Sequence, residues 1–192
     1  MLKKLLKYDL KWTLKNLIIF MGLGTFFSII GRILDLTTDS LFFDIISGIC
    51  KGAALSLTIS ALVNAIIRSW VRMGSNMYKD ESYLTHTLPV TRSTHYYSKC
   101  IHSVICVVLT VMVILLNVFI LYYSKENMEI LKSSLNMLAS ALDISAFGFI
   151  ILVFFIVIAE ALFIIQCGYF GIIMGNRHNT KKGLFVTVLL SI

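Results

Sequence analysis

Apolar and charged positions alternate in long blocks along this chain. Windows 16–31 and 52–67 carry no charged residue, and 100–124 is a third charge-free stretch. Window 144–176 is interrupted by Glu160 alone. Crossing a hydrocarbon core takes about 20 residues as a helix. The blocks are continuous, without the strict alternation that barrel strands show. They predict four full spans, at about 16–34, 47–71, 101–123 and 144–174. A fifth apolar run starts near Gly183 and is counted as an incomplete span at 183–192. Ten residues are too few to cross as a helix, so the run is read as the start of a truncated fifth span. The expected fold is all-α: one polytopic helical transmembrane domain over 1–192.

Composition agrees with that class. Of 192 residues, 58% are hydrophobic and 14% charged, against roughly 25% charged in an ordinary soluble domain. In lipid each backbone N–H and C=O must be paired within its own segment, which favours helices.

Charge then sets a topology. Thirteen of the seventeen lysines and arginines fall in the N-terminal segment, the loop after the second span and the connection after the fourth. Arg32, Lys51, Lys125 and Lys132 lie on the other side. The positive-inside rule places the first group, and the N-terminus, in the cytoplasm of a multi-pass cell-membrane protein. The net charge of +7 is thereby a topology signal, with no nucleic-acid partner implied.

The first sixteen residues, MLKKLLKYDLKWTLKN, have a pattern of their own. Leu2, Leu5, Leu6, Leu10 and Leu14 recur near helical spacing. Lys4, Lys7, Lys11 and Lys15 form a second stripe, and Trp12 is an interfacial anchor. This predicts an interfacial helix over 1–16 with its lysines toward anionic headgroups. A signal peptide and a plain cytoplasmic extension of the first span are the competing readings.

Sites for chemistry are sparse. The chain has no P-loop and no HExxH motif, and Cys50, Cys100, Cys106 and Cys167 form no CxxC pair. Neither a metal nor a cofactor site is expected, and His86 and His95 read as polar loop residues. Asn64, Asn117, Glu160 and Gln166 are polar groups inside spans. Glu160 is costly there and implies either an interhelical hydrogen bond that fixes packing or a polar conduit.

The most informative polar stretch is DESYLTHTLPV at 80–90, within a cytoplasmic loop at 74–98 that holds the only proline. Met73, Met77, Leu84 and Leu88 lie close to one helical face. Pro89 disfavours helix at Leu88, and Thr91 is placed to cap the next helix. A short amphipathic helix, a break and the third span are expected in that order. It would either rest on the inner leaflet or dock on a soluble partner.

The 80–90 segment resembles the cytoplasmic loop of bacterial ABC-2-type transporter permeases, many of which read close to D-E-x-Y-L-T-x-T-L-P-V. The basic opening resembles the interfacial elbow helix of the same family. The resemblance implies the membrane subunit of an ABC exporter, which is not itself an enzyme. Two such subunits, as a homo- or heterodimer, would pair with separate cytoplasmic ATPase subunits, which bind the ATP. The 74–98 loop would serve as coupling element, with Asp80, Glu81, Tyr83, Leu84 and Leu88 as docking residues. The family usually has six spans. The alternatives are a small membrane regulatory or assembly protein without an ATPase partner, and an intramembrane enzyme built on Glu160.

Overall fold

The computed structural model describes residues 2–37, 41–79, 81–87 and 91–177; the side chains of 37, 84–86, 92 and 177 are outside the description. Six helices make up the described chain: α1 (Leu2–Thr37), α2 (Leu41–Tyr78), α3 (Ser82–Thr87), α4 (Arg92–Tyr122), α5 (Lys125–Ser140) and α6 (Ala146–Arg177). No strand occurs among the described residues. Four of the helices, α1, α2, α4 and α6, are long and apolar enough to cross a membrane. The expected incomplete span at 183–192 lies outside the described residues.

These helices exceed the apolar windows that announced them. The 36 residues of α1 span about 54 Å at 1.5 Å per residue, more than a hydrocarbon core of about 30 Å requires. α1 runs unbroken across residue 16, so the lysine-bearing segment is a continuation of the same helix. Its lysines at 3, 4, 7, 11 and 15 are all exposed, whereas Asp9, Thr13 and Leu17 at i+4 steps are buried.

The interior is more polar than that of a typical water-soluble protein. Buried polar side chains are nearly as many as buried apolar ones, fourteen against fifteen among the described residues. Phe147, Phe155, Phe163 and Phe170 on α6 are exposed. A surface of that kind suits solvation by lipid. Several interior hydroxyls are satisfied within their own helices: Ser28, Ser69 and Ser103 donate to the carbonyls of Gly24, Ala65 and Lys99, at 2.9, 2.8 and 2.9 Å. Such back-bonding lets a polar residue sit where no water is available.

The chain divides into two compact units. Unit 1 takes its described residues from Met1–Ile19, Ala61–Thr110 and Ala161–Ile192. Unit 2 takes Phe20–Ser60 and Val111–Glu160. In unit 2, Gly24 brings α1 close to α2: a Cβ there would lie 2.9 Å from Thr58 Oγ1. Asn117 of α4 donates to the same hydroxyl at 3.3 Å. Asp35 accepts from Lys51 at 2.6 Å and from Ser47 at 2.7 Å, and Arg32 donates to the Tyr123 carbonyl.

The turn chemistry around the loop is partly as expected. Thr91 precedes α4, and its hydroxyl accepts the Thr94 N–H at 3.4 Å, in the manner of an N-cap. The short helix is smaller than its sequence pattern implied. α2 continues to Tyr78 and α3 covers six residues, the chain turning between them through a Ser82 N–H to Lys79 carbonyl bond of 2.8 Å. Met73 is therefore buried within α2 and shares no helix with Leu84. His95, expected as a loop residue, lies in α4 and is buried, because α4 begins at Arg92, three residues after Pro89.

Candidate functional site

Asp9 is the only acidic residue among the first 34. On a helix of 100° per residue it stands opposite the lysine stripe, on the face that α1 buries in unit 1. Two cations from different helices converge on its carboxylate. Lys99 of α4 places Nζ 2.7 Å from each oxygen, and Arg72 of α2 donates Nε–H to Oδ1 at 2.8 Å. Asn76, one turn beyond Arg72, adds a bond to Oδ1 at 3.3 Å. The Asp9 and Lys99 side chains are each 3% exposed, so the pair is removed from solvent.

The same guanidinium reaches the loop. Arg72 Nη1 donates to Glu81 Oε2 at 2.9 Å, and Glu81 immediately precedes α3. Asp9, Arg72, Lys99 and Glu81 thus make a charge-neutral quartet joining α1, α2, α4 and the loop. Arg72 and Arg68 also lie over the Trp12 ring, at 5.3 and 5.0 Å from its centroid. An arginine suits this place, since its fork serves two carboxylates while its plane packs on an indole.

A polar seam continues from the quartet within unit 1. Thr13, one turn after Asp9, shares a 2.9 Å hydrogen bond with His102 Nε2. Ser103 and Tyr169 hydroxyls are 2.6 Å apart, and Tyr169 also reaches the Lys99 carbonyl at 3.4 Å. Tyr96 donates to Gln166 Oε1 at 2.8 Å. Trp70 donates to the Ile165 carbonyl at 3.2 Å. No grouping of three or more potential metal ligands occurs among the described residues.

The four intramembrane polar residues separate. Asn64 and Gln166 belong to unit 1, Asn117 and Glu160 to unit 2. Asn64 accepts from Arg68 Nε at 2.8 Å. Glu160 is exposed, and the interhelical hydrogen bond considered for it is not formed among the described residues. Glu160→Gln should accordingly leave the thermal stability of the purified chain within about 0.5 kcal/mol, as for substitutions away from packed features. A loss above about 1 kcal/mol, the worth of a typical hydrogen bond, would show that the carboxylate holds a packing contact.

Of the loop residues singled out from sequence, Tyr83 is 77% exposed and Glu81 faces Arg72. Leu84 lies in α3, its side chain undescribed, and Asp80 and Leu88 lie outside the described residues. Of the surface set, Lys4, Lys7, Lys11 and Lys15 are exposed and Trp12 is under the two arginines. Asp9 and Lys99 escaped the sequence reading. The signal for Asp9 was present, as a lone acid opposite a lysine stripe; Lys99 had none to distinguish it from a topogenic charge.

What these features define is a helical protein with four segments able to cross a membrane and a buried charge cluster in unit 1. Compared with protein-family models, curated proteins and solved structures, the chain matches none of them.

Proposed function

We propose that the chain is a membrane-spanning permease subunit of an ABC exporter, multi-pass in the cell membrane with its N-terminus cytoplasmic. It works as a homo- or heterodimer with cytoplasmic ATPase subunits that bind the ATP. The observation that carries this reading is the Glu81–Arg72–Asp9–Lys99 connection. It joins the loop that resembles the ABC-2 coupling segment, through Glu81 and Arg72, to three of the long helices.

In this mechanism α3 and its flanks seat on the ATPase partner, with Tyr83 as the outward contact. ATP-driven closure of the partner displaces α3. Glu81 moves with it, and the displacement passes through the Arg72 guanidinium to Asp9 and Lys99, shifting α1 and α4 together. Charge-assisted bonds of 2.7–2.9 Å are short and directional, which suits them to transmit a small movement.

The test is co-purification in detergent with the cognate ATPase. Tyr83→Arg should abolish association and ATPase stimulation at least tenfold, equivalent to about 1.4 kcal/mol, without changing the chain's thermal stability, since the side chain is exposed. Association and stimulation at wild-type levels would remove the docking role from α3.

A further inference from the structure

The stretch 125–143 carries Lys125, Glu126, Glu129, Lys132 and Asp143, and the structure forms a 16-residue helix over its first part, α5. Ala139 is its one buried residue. At 100° per residue, Leu138, Leu131, Leu135, Met128 and Ala139 fall within an arc of about 100°. Lys125, Glu129, Lys132, Ser133 and Asn136 occupy the adjoining arc, and Ile130 and Met137, 57% and 75% exposed, lie on the far side. Met128, Leu131 and Leu138 are 39%, 50% and 52% exposed and Leu135 is half-buried, so the described residues leave most of the apolar stripe uncovered.

Both ends of α5 are tied closely to long apolar helices. Two residues separate it from α4 and five from α6. At the first corner Ser124 is extended, with φ −139° and ψ 152°, and Asn127 Nδ2 donates to the Tyr122 carbonyl at 3.1 Å. The second corner is a Schellman closure. Asp143 has φ 54°, Ile144 N–H bonds the Ala139 carbonyl at 3.1 Å, and Asp143 N–H bonds that of Ser140 at 3.3 Å. Ser145 then caps α6, its hydroxyl accepting the Gly148 N–H at 3.1 Å. Exposed Tyr122 and Tyr123 stand at the first corner, a residue type that gathers at the headgroup level.

We infer that α5 is an interfacial helix that lies in the membrane surface, its Met128–Leu131–Leu135–Leu138 stripe sunk into the headgroup–acyl boundary. The occupant of the stripe is lipid. A helix anchored within two and five residues of two long apolar helices is held near their ends. Lys132 and Lys125 border the stripe and can extend their ammonium groups to lipid phosphates. After three crossings α5 is on the same side as the α1–α2 connection. A segment of about 24 Å held there fixes the spacing at which α4 and α6 enter the bilayer. This inference rests on the membrane placement and is independent of the ATPase partner.

The test is a spin-label scan of 125–140 in the full chain, reconstituted in phosphatidylcholine vesicles with a minor share of phosphatidylglycerol. The background is C50A/C100A/C167A, keeping buried Cys106. Collisions with oxygen should peak at 128, 131, 135 and 138, and collisions with a water-soluble nickel chelate at 125, 129, 132 and 136. Nickel access on every face would overturn the inference, as would a stripe shielded from both reagents, the mark of a second copy or another protein. Labels at Leu116 and Ile156, exposed on α4 and α6, serve as the control: nickel access there as well overturns the membrane placement and the inference with it, whereas oxygen-rich controls beside a nickel-exposed stripe overturn the inference alone.

Discussion

Asp9→Asn should be the most damaging conservative substitution in unit 1. The amide keeps the shape of the carboxylate and removes its charge, leaving Lys99 and Arg72 facing one another. The Lys99 side chain is 3% and that of Arg72 11% exposed, so neither is readily compensated by water. Removing one partner from a buried ion pair costs about 3–5 kcal/mol, a large part of a marginal total stability. The measurement is thermal unfolding of the detergent-purified chain followed by size-exclusion chromatography, with a marked drop in midpoint and yield expected. Wild-type stability for Asp9→Asn would mean that the quartet is not held together as described.

A second change separates structure from function. Asp9→Asn combined with Lys99→Gln removes one charge of each sign and leaves the Arg72–Glu81 pair intact. It should recover more than half of the lost stability. If the quartet also transmits movement from the loop, the recovered variant should bind the ATPase partner normally yet fail to couple ATP hydrolysis to export. Full recovery of transport would confine the quartet to a structural role. Glu81→Gln is the complementary variant. The Glu81 side chain is 48% exposed, so its contribution to stability is small, as for surface ion pairs at about 0–1 kcal/mol. Its effect should fall on coupling.

The parts of this molecule that were legible in its sequence are those where one physical constraint dominates. Lipid demands long apolar helices, and each of the four apolar windows falls within a long helix, overhanging it by two residues at most at either end. A capping threonine has a local effect, and α4 begins directly after Thr91, whose hydroxyl accepts the Thr94 N–H. Legibility ended where an apolar surface meets a polar one. α5 was missed because charge-free windows cannot find a helix that is half polar; its period only emerges when the charges are placed on a helical wheel. The short loop helix was overextended because the methionines of α2 continued its apolar face, whereas the chain turns at Lys79. Asp9 was overlooked because topology was read from cations alone. Its meaning depends on Arg72 and Lys99, which are 63 and 90 residues distant in sequence, and no local pattern reports such a pairing.

Gly168→Ala should be nearly as disruptive as loss of Asp9, for a steric reason. A Cβ at 168 would stand 2.1 Å from Trp70 Nε1 and 2.3 Å from Cε2. In an unconstrained helix alanine would stabilise relative to glycine by about 0.5–1 kcal/mol; here the indole occupies that position. Trp70 cannot swing aside cheaply, because its N–H is bonded to the Ile165 carbonyl one turn away. Nor can α6 withdraw, since neighbouring Tyr169 is 1% exposed and tied to Ser103 and to the Lys99 carbonyl. Overpacking of this kind costs about 1–3 kcal/mol, and the shift would extend to Lys99 and thus to the quartet. Gly24→Ala provides the contrast. Its nearest atom is the Thr58 hydroxyl at 2.9 Å, a far milder approach than the indole at 2.1 Å, so the loss there should be smaller. Thermal midpoints of the two variants would rank them, with Gly168→Ala/Trp70→Leu as the compensating pair. If the pair is no more stable than Gly168→Ala alone, the cost lies in the helix backbone and not in the indole that Gly168 accommodates.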